Sequence, residues 1–484
     1  MKLFHYYVLI LFKVIFSSNN KIFRIPFGLF KQQSFENDKE TNTINNIVNS
    51  GKYLNLSIGT PPQLTPLELD SIYQTFGISD KYYNKSESIT FKQISKNDEY
   101  FIYEVTDNGF LSKDILNNDN NNIKKEINFI LGTNFMVKKN NKIGIIGLNI
   151  PKKIQKGVYP FLNSFKEAEL INSFVWTLKF FDNVSLFDQV TYREEKGNII
   201  GEFIFGDEPS NYENDIYNYN KKGYIKVNTL STKISINWEL SFSNIYITPN
   251  ENNNNSKIYF TGNKEAQIII NYSYLLAPTD FFYFLENNFF SQYLSNNICQ
   301  AKKVNYLYTY IECDHDSSFK VESFPVISFD HADFEMAFNL TYKDLFIVDK
   351  KSNKYIFLII KKEYYMDWIF GTVFLRKFRL IFDNDAKTIG YYKKVENPFD
   401  DNLKENNGTK TLKTVFIIFL VIIFSFLLIF FGMIIQRKYF NKNRKIRANE
   451  LEENFSYESK NNDENNNDKK IINEENEKNV YFSI

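Results

Sequence analysis

Tyr53-Leu54-Asn55-Leu56-Ser57-Ile58-Gly59-Thr60-Pro61-Pro62-Gln63, with the run Leu67-Glu68-Leu69-Asp70 close behind it, is the stretch on which the reading of the fold turns. Tyr53–Ile58 is a short β-type run, and Gly59 to Pro62 supply turn chemistry. The next run is apolar in character and ends in a carboxylate at Asp70. Working outward, similar short runs occur at Phe101–Val105, Phe129–Leu131, Ile143–Leu148, Ile199–Phe205, Ile268–Ile270, Val326–Phe329, Ile356–Ile360 and Phe378–Phe382. Turn residues separate them, and stretches with a helical period are scarce: Tyr159 to Leu170 and Asp280 to Leu294. The folded part, about Asn46 to Lys394, therefore reads as mostly β with a few helices. The Asn-rich inserts at Asn117–Asn122 and Asn250–Asn255 read as surface loops.

The pattern repeats. Leu67-Glu68-Leu69-Asp70 and Ile143-Gly144-Ile145-Ile146-Gly147-Leu148 in the first half are answered by Ile268-Ile269-Ile270-Asn271 and Trp368-Ile369-Phe370-Gly371 in the second. Each half thus offers one strand leading into a polar loop and one apolar strand ending in Gly, where another backbone can approach closely. Two such halves face to face enclose a cleft.

The chain has 484 residues, enough for roughly two to four domains. Lys plus Arg number 58 and Asp plus Glu 57, so no basic excess points to nucleic acid. Lys2 before the apolar stretch Leu3 to Phe16, then Ser17 and Ser18, reads as a leader over 1–18, the alternative being an uncleaved anchor. Val415 to Ile435 is an uncharged apolar run long enough to cross a bilayer core of roughly 30 Å. Arg437, Lys438, Lys442, Arg444, Lys445 and Arg447 follow it and predict a cytoplasmic C-terminus. The tail, 436–484, is charged and Asn-rich and is expected to be disordered. Its end, Tyr481-Phe482-Ser483-Ile484, is similar to a tyrosine-based sorting signal for an adaptor. The expectation is a single-pass type I protein of the secretory pathway, in an endolysosomal-type organelle or at the cell surface. In the part expected to be luminal, Asn-x-Ser/Thr sites begin at Asn55, Asn84, Asn183, Asn254, Asn271, Asn339 and Asn407. Cys299 and Cys313 are an even pair in a secreted context, which reads as a bridge; the alternative is two buried thiols. Such a bridge closes a loop of roughly 15 residues, worth about 3 kcal/mol on the chain-entropy account.

These residues resemble the pepsin family of aspartic peptidases. Tyr53–Gln63 looks like the first strand and turn of that family's N-terminal lobe, and Asp70 falls at the spacing of its first catalytic aspartate. Ile143–Leu148 looks like the apolar-Gly strand beneath that loop. Gly201 to Tyr212, with Phe205-Gly206-Asp207-Glu208-Pro209, resembles the interlobe turn, and Trp238 to Ile247 the strand after it. Cys299 and Cys313 match the C-terminal-lobe disulfide, with Phe324–Phe329 just beyond. Trp368-Ile369-Phe370-Gly371, Phe374-Leu375-Arg376, Phe382-Asp383 and Gly390-Tyr391 match the last strands. Phe23-Arg24-Ile25-Pro26 resembles the start of a short prosegment. The resemblance, which covers about Phe23 to Lys394, implies a two-lobed, mostly-β fold with a central cleft, to which the apolar run at 415–435 adds one C-terminal transmembrane helix. The chain is then expected to divide into a prosegment-like region over 19–45, lobes over 46–198 and 199–396, a stalk over 397–414 and a membrane helix over 415–435.

The chemistry the resemblance implies needs two carboxylates sharing one proton: the ionised one activates water, and the protonated one donates to the scissile carbonyl. The family presents each aspartate in an Asp-Thr/Ser-Gly turn. Here the first turn reads Asp70-Ser71-Ile72-Tyr73, with β-branched Ile72 in place of the Gly, a residue that tolerates positive φ badly. The second reads Ile268-Ile269-Ile270-Asn271-Tyr272-Ser273 before Ala277-Pro278-Thr279. An ungapped alignment puts Ile269 at the aspartate position; alignment on the strand end puts Asn271 there. Neither is acidic, and no Asp or Glu occurs after Glu265 up to Thr279. Asn271 donates and accepts hydrogen bonds but does not titrate. Tyr103 sits where the family's flap tyrosine is expected, a candidate to close over a ligand.

His315 and His331, with Asp314, Asp316, Asp330 and Asp333, do not follow a recognised metal-ligand spacing and read as an acidic surface loop. No metal and no cofactor is expected. Three functional readings follow: a catalytically inactive pseudopeptidase binding peptide or protein in its cleft; an active aspartic endopeptidase with a non-standard pair built on Asp70; or a scaffold with the cleft plugged by Tyr73, Tyr272 and Tyr274. Lost catalysis predicts no Asp or Glu carboxylate within hydrogen-bond reach of Asp70.

Overall fold

A computed structural model describes residues 21–31, 43–95, 98–102, 105–118, 123–132, 143–150, 159–191, 199–212, 224–229, 237–249, 256–304, 307–392 and 431–438, with 447 and 449. The chain divides into two compact units, Met1–Val395 and Glu396–Ile484. In the second, 431–438 is an exposed helix. Among the described residues no helix is long and apolar enough to cross a membrane. Most of the expected span, 415–430, lies outside them, as do the leader and nearly all of the tail.

Among its described residues the first unit is built mostly from β-strands in three sheets. Its largest sheet has fourteen strands and draws on both ends of the unit. At its middle lies Phe23–Lys31, paired antiparallel with Ile199–Phe205 on one side and Ser50–Ile58 on the other. Phe23, Ile25, Phe27 and Leu29 are buried while Arg24 and Pro26 are exposed, the alternation of a half-buried strand. The prosegment-like stretch is thus an internal strand of this sheet.

Beyond Ser50–Ile58 the order continues through Gln63–Asp70, Gly144–Gly147 and Phe76–Ser79. On the other flank Val175–Phe180 joins Ile381–Asp383, so the last strands of the unit belong to the same sheet as its first. There Trp176 stacks on Phe382 at 4.1 Å between centroids, and Trp238 meets Trp176 edge-on at 5.9 Å. The Trp238 indole N–H donates to the Leu148 carbonyl at 2.9 Å, which ties the second half to the first beneath the polar loops.

The second half fills a nine-stranded and a four-stranded sheet. Its core is dense in aromatic rings; Phe324, Phe346 and Phe357, for example, lie within 5.2 Å of one another by centroid. Cys299 and Cys313 face each other across an antiparallel pair and are joined as a disulfide.

Several expected elements are shorter than their apolar runs. The strand expected over Ile268–Ile270 ends at Ile268, because Ile269 and Ile270 turn into the interlobe contact. Phe378–Phe382 contributes only Ile381–Asp383, and Ile356–Ile360 breaks into Lys354–Phe357 and Ile359–Lys362. The helix expected from Asp280 to Leu294 is Thr279–Leu285 and Ser291–Ser295 with a π-helical turn between them, Glu286–Phe290. In each case apolar content marked a buried segment without fixing its conformation.

Candidate active site

The two polar loops follow strands in equivalent positions. Gln63–Asp70 runs parallel to Gly144–Gly147, with Leu69 opposite Ile146 and Asp70 opposite Gly147. Glu265–Ile268 runs parallel to Trp368–Phe370, with Ile268 opposite Phe370. Phe76 pairs with Ile146 on the return strand, as Leu275 pairs with Phe370. Both registers superimpose Asp70 on Ile269, Ser71 on Ile270 and Ile72 on Asn271.

The glycines show the same correspondence. A Cβ on Gly147 would stand 2.7 Å from the Tyr73 carbonyl oxygen and 2.5 Å from the Thr75 nitrogen. One on Gly371 would stand 2.1 Å from the Tyr272 carbonyl oxygen and 2.6 Å from that of Tyr274. Each loop lies directly on a glycine, and no larger residue fits there.

The backbone therefore gives the aspartate position of the second half to Ile269, which is buried in the core. The side chain that meets Asp70 is nevertheless that of Asn271, from the turn's third position. Its Nδ2 donates to Asp70 Oδ2 at 2.6 Å and to Glu68 Oε1 at 2.9 Å. Asp70 Oδ1 accepts the backbone N–H groups of Ile72 at 2.5 Å and Tyr73 at 3.0 Å. Three donors thus converge on this one carboxylate. Asn271 Oδ1 is buried without a hydrogen-bond partner among the described residues. That fixes the amide's orientation, since the reverse would aim its carbonyl at two carboxylates. The Nδ2 that a glycan would need is held by two carboxylates and Asn271 is only 8% exposed, so its sequon is closed to modification in this fold.

Other side chains stitch the loops together. Ser71 Oγ donates to the Ile268 carbonyl at 3.0 Å and accepts the Ile270 N–H at 3.2 Å. The reciprocal bonds are missing because Ile270 has no hydroxyl. The hydroxyls of Ser50 and Ser273 are 2.6 Å apart. Ile72 avoids the positive φ that suits a glycine: it is not among the residues in the left-handed region, and its side chain is 45% exposed beside Asp70.

Two charged residues at this centre are absent from the sequence-based candidates. Lys52 is wholly buried, and its Nζ donates to the Ile270 carbonyl across the two halves. Burial lowers its pKa to about 7, against the opposing pull of the Glu68 carboxylate. Glu68 is itself buried, on the strand that delivers Asp70. The signal was present in Leu67-Glu68-Leu69: an acid inside an otherwise apolar strand needs a partner.

The tyrosines expected as a plug pack against neighbouring rings and aliphatic side chains. Tyr274 is buried and meets the rings of Tyr272 at 5.2 Å and Tyr308 at 6.3 Å edge-on, and Tyr73 packs on Ile130 and Ile145 of its own half. Burial, reinforced by Tyr308, Tyr365 and Asp70, holds the Tyr272 phenol well above its ordinary pKa. Tyr103 lies outside the described residues. His331 is buried against Phe334, with burial lowering its pKa, and His315 lies at the surface beside Asn353.

A duplicated β-fold with paired loops meeting at one buried aspartate defines the class of pepsin-like aspartic proteases. Residues 53–394 match the family model described as Eukaryotic aspartyl protease, and the chain belongs to that family. The family binds peptide substrates in the cleft between its halves. No curated protein matches the chain.

Proposed function

We propose that this chain is a catalytically silent member of its family that binds peptide or protein segments in the cleft. The observation that carries the reading is the 2.6 Å bond from Asn271 Nδ2 to Asp70 Oδ2, an amide where the mechanism requires a second acid. Peptide hydrolysis by this route needs one carboxylate to take a proton from water and another to give one to the carbonyl oxygen. Asp70 can accept a proton. An amide has none to give at any working pH. What remains is a binding groove with one ionised group at its floor.

A second reading is supported by Glu68, whose carboxylate sits on the same Asn271 amide. In it, Asp70 and Glu68 form a non-standard pair and the chain is an active endopeptidase.

The experiment is cleavage and binding of a mixed peptide library by the purified full-length chain, from mildly acidic to neutral pH. Asp70→Ala and Glu68→Gln run beside it. The silent reading expects peptide binding with no cleavage above the Asp70→Ala background. Cleavage lost in both variants would establish the second reading in its place.

We also infer that the domain is carried on a single-pass anchor over 415–435, behind a leader at 1–18, with the tail cytoplasmic and Tyr481–Ile484 offered to a sorting adaptor. The uncharged length of the run and the basic cluster after it support this. Resistance to alkaline extraction from membranes, with the tail alone open to added protease, is the expected result.

A further inference from the structure

The stretch that resembles the start of a prosegment carries more of the fold than a removable segment would. Phe23–Lys31 pairs with Ile199–Phe205 from Phe23 to Gly28, and with Ser50–Ile58 from Phe27 to Lys31. Each of its residues therefore has a strand partner on at least one side. Among the described strands it is also the one link between two parts of the fourteen-stranded sheet. One part runs from Tyr224–Asn228 to Ile199–Phe205, and the other begins at Ser50–Ile58. Taking the strand away would split the sheet and leave two unpaired edges facing each other.

The surroundings are shaped to this strand. Phe23, Ile25, Phe27 and Leu29 are buried. The Phe23 ring stacks on Phe205 at 5.4 Å and meets Phe165 edge-on at 5.1 Å, and Phe27 meets Phe180 edge-on at 5.4 Å. Two glycines make room for it. A Cβ on Gly201 would stand 2.8 Å from the Phe27 ring, and one on Gly206 would stand 2.4 Å from the Lys21 carbonyl oxygen. On the exposed side Arg24 lies over the Tyr212 ring at 5.3 Å and pairs with Glu202 at 3.4 Å.

Nor does the adjoining sequence hold a replacement. Gln32-Gln33-Ser34-Phe35-Glu36-Asn37-Asp38-Lys39-Glu40-Thr41-Asn42 has one apolar side chain, Phe35. The helix after it, Thr43–Val48, already buries Ile44 and Ile47, and Ser50 begins the neighbouring strand. A slot that takes four alternating apolar side chains has no second occupant between 32 and 49.

We propose that Phe23–Lys31 is a permanent strand of the working protein, so that this chain does not mature by losing its prosegment-like region and its full-length form is not a latent precursor. The inference goes beyond the silent-site reading and stands apart from it, since an active enzyme would hold the strand by the same contacts.

Two measurements test it. In the first, the mature protein is isolated from its own cells and digested with trypsin. The peptide Ile25–Lys31 should be recovered one-to-one with peptides of the second half. Its absence from the mature protein overturns the proposal.

In the second, a site-specific protease site is placed between Lys31 and Thr43 of the purified full-length chain. The folded chain is cut there and passed over a sizing column. The strand should co-elute with the remainder and leave it only in denaturing urea, together with loss of the fold. Release from a remainder that keeps its unfolding midpoint overturns the proposal. Cutting after folding avoids any variant that fails to fold.

The cut sample is also given the mixed peptide library, which separates the two readings. Strand release without hydrolysis removes this inference and leaves the silent site. Strand retention with Asp70-dependent hydrolysis does the reverse. Hydrolysis that appears only once the strand is released removes both.

Discussion

The loop after Gln63–Asp70 carries a carboxylate, a hydroxyl and an exposed isoleucine. The loop after Glu265–Ile268 carries two buried isoleucines and a buried asparagine at the same three backbone positions. Strand register and the glycine beneath each loop are nonetheless the same in both halves. The comparison separates two kinds of constraint. Backbone geometry is set by close packing of main chain on main chain, which tolerates no added atom. Side-chain chemistry at the loop tips is free to change wherever partners change with it. Here the second loop presents the Asn271 amide, which donates to both Asp70 and Glu68.

The largest test of this equivalence is at the glycines. Gly147→Val and Gly371→Val each drive a side chain into loop backbone rather than into a movable side chain. Each should cost about 4 kcal/mol or more and leave little folded protein. Soluble yield and urea unfolding check this. If one site accepts valine and the other does not, the two loops are not the same structure.

Next comes the chemical difference itself. Asn271→Asp places a third carboxylate beside Asp70 and Glu68. Like charges raise its folded-state pKa above the unfolded value near 3.9, and each unit of that rise is worth about 1.4 kcal/mol. A group raised in this way carries no cost below its unfolded pKa and acquires it as the pH climbs through the folded one. The variant should thus trail the wild type by about 3 kcal/mol at pH 7 and approach it near pH 4. A gap independent of pH would mean that the new carboxylate is not held between the other two.

A smaller effect is expected from the hydroxyl present in one loop only. Ser71→Ala leaves the Ile268 carbonyl and the Ile270 N–H without their partner across the halves. The expected loss is about 2 kcal/mol, read from unfolding curves. Ile270→Val, on the side without a hydroxyl, should cost about 1 kcal/mol as a core trim alone. Equal losses would mean that the one-sided grip contributes nothing beyond packing.

How far the sequence showed all this depends on what each residue has to do. Tyr53–Ile58 and Ile199–Phe205 could be read because burial on a sheet imposes its own pattern along the strand. Gly147 and Gly371 were legible as close-approach points because only glycine serves there. The second loop was harder: counting residues gives Ile269 and following the strand end gives Asn271, and the molecule uses one for backbone register and the other for side-chain contact. Lys52 escaped notice because lysine is abundant in this chain and its partner, the Ile270 carbonyl, is 218 residues away in sequence. The flap at Tyr103 stays an expectation from resemblance, since the residue lies outside those described.

The smallest stability effect is expected where the two loops differ most in exposure. Ile72 and Asn271 hold equivalent positions, yet Ile72 is 45% exposed and Asn271 only 8%. A half-exposed isoleucine gives up little buried surface when trimmed, so Ile72→Ala should cost about 1 kcal/mol or less. Its exposure beside Asp70 gives it a different value: an apolar side chain at the cleft floor, held by a turn whose backbone bonds go to Asp70 itself. Peptide affinity should therefore fall several-fold in Ile72→Ala while the unfolding midpoint barely moves. Isothermal titration with a library-selected peptide, set beside urea unfolding, separates the two effects. A variant that binds as tightly as the wild type would place the ligand away from Asp70, and the two loops would then differ in stability alone.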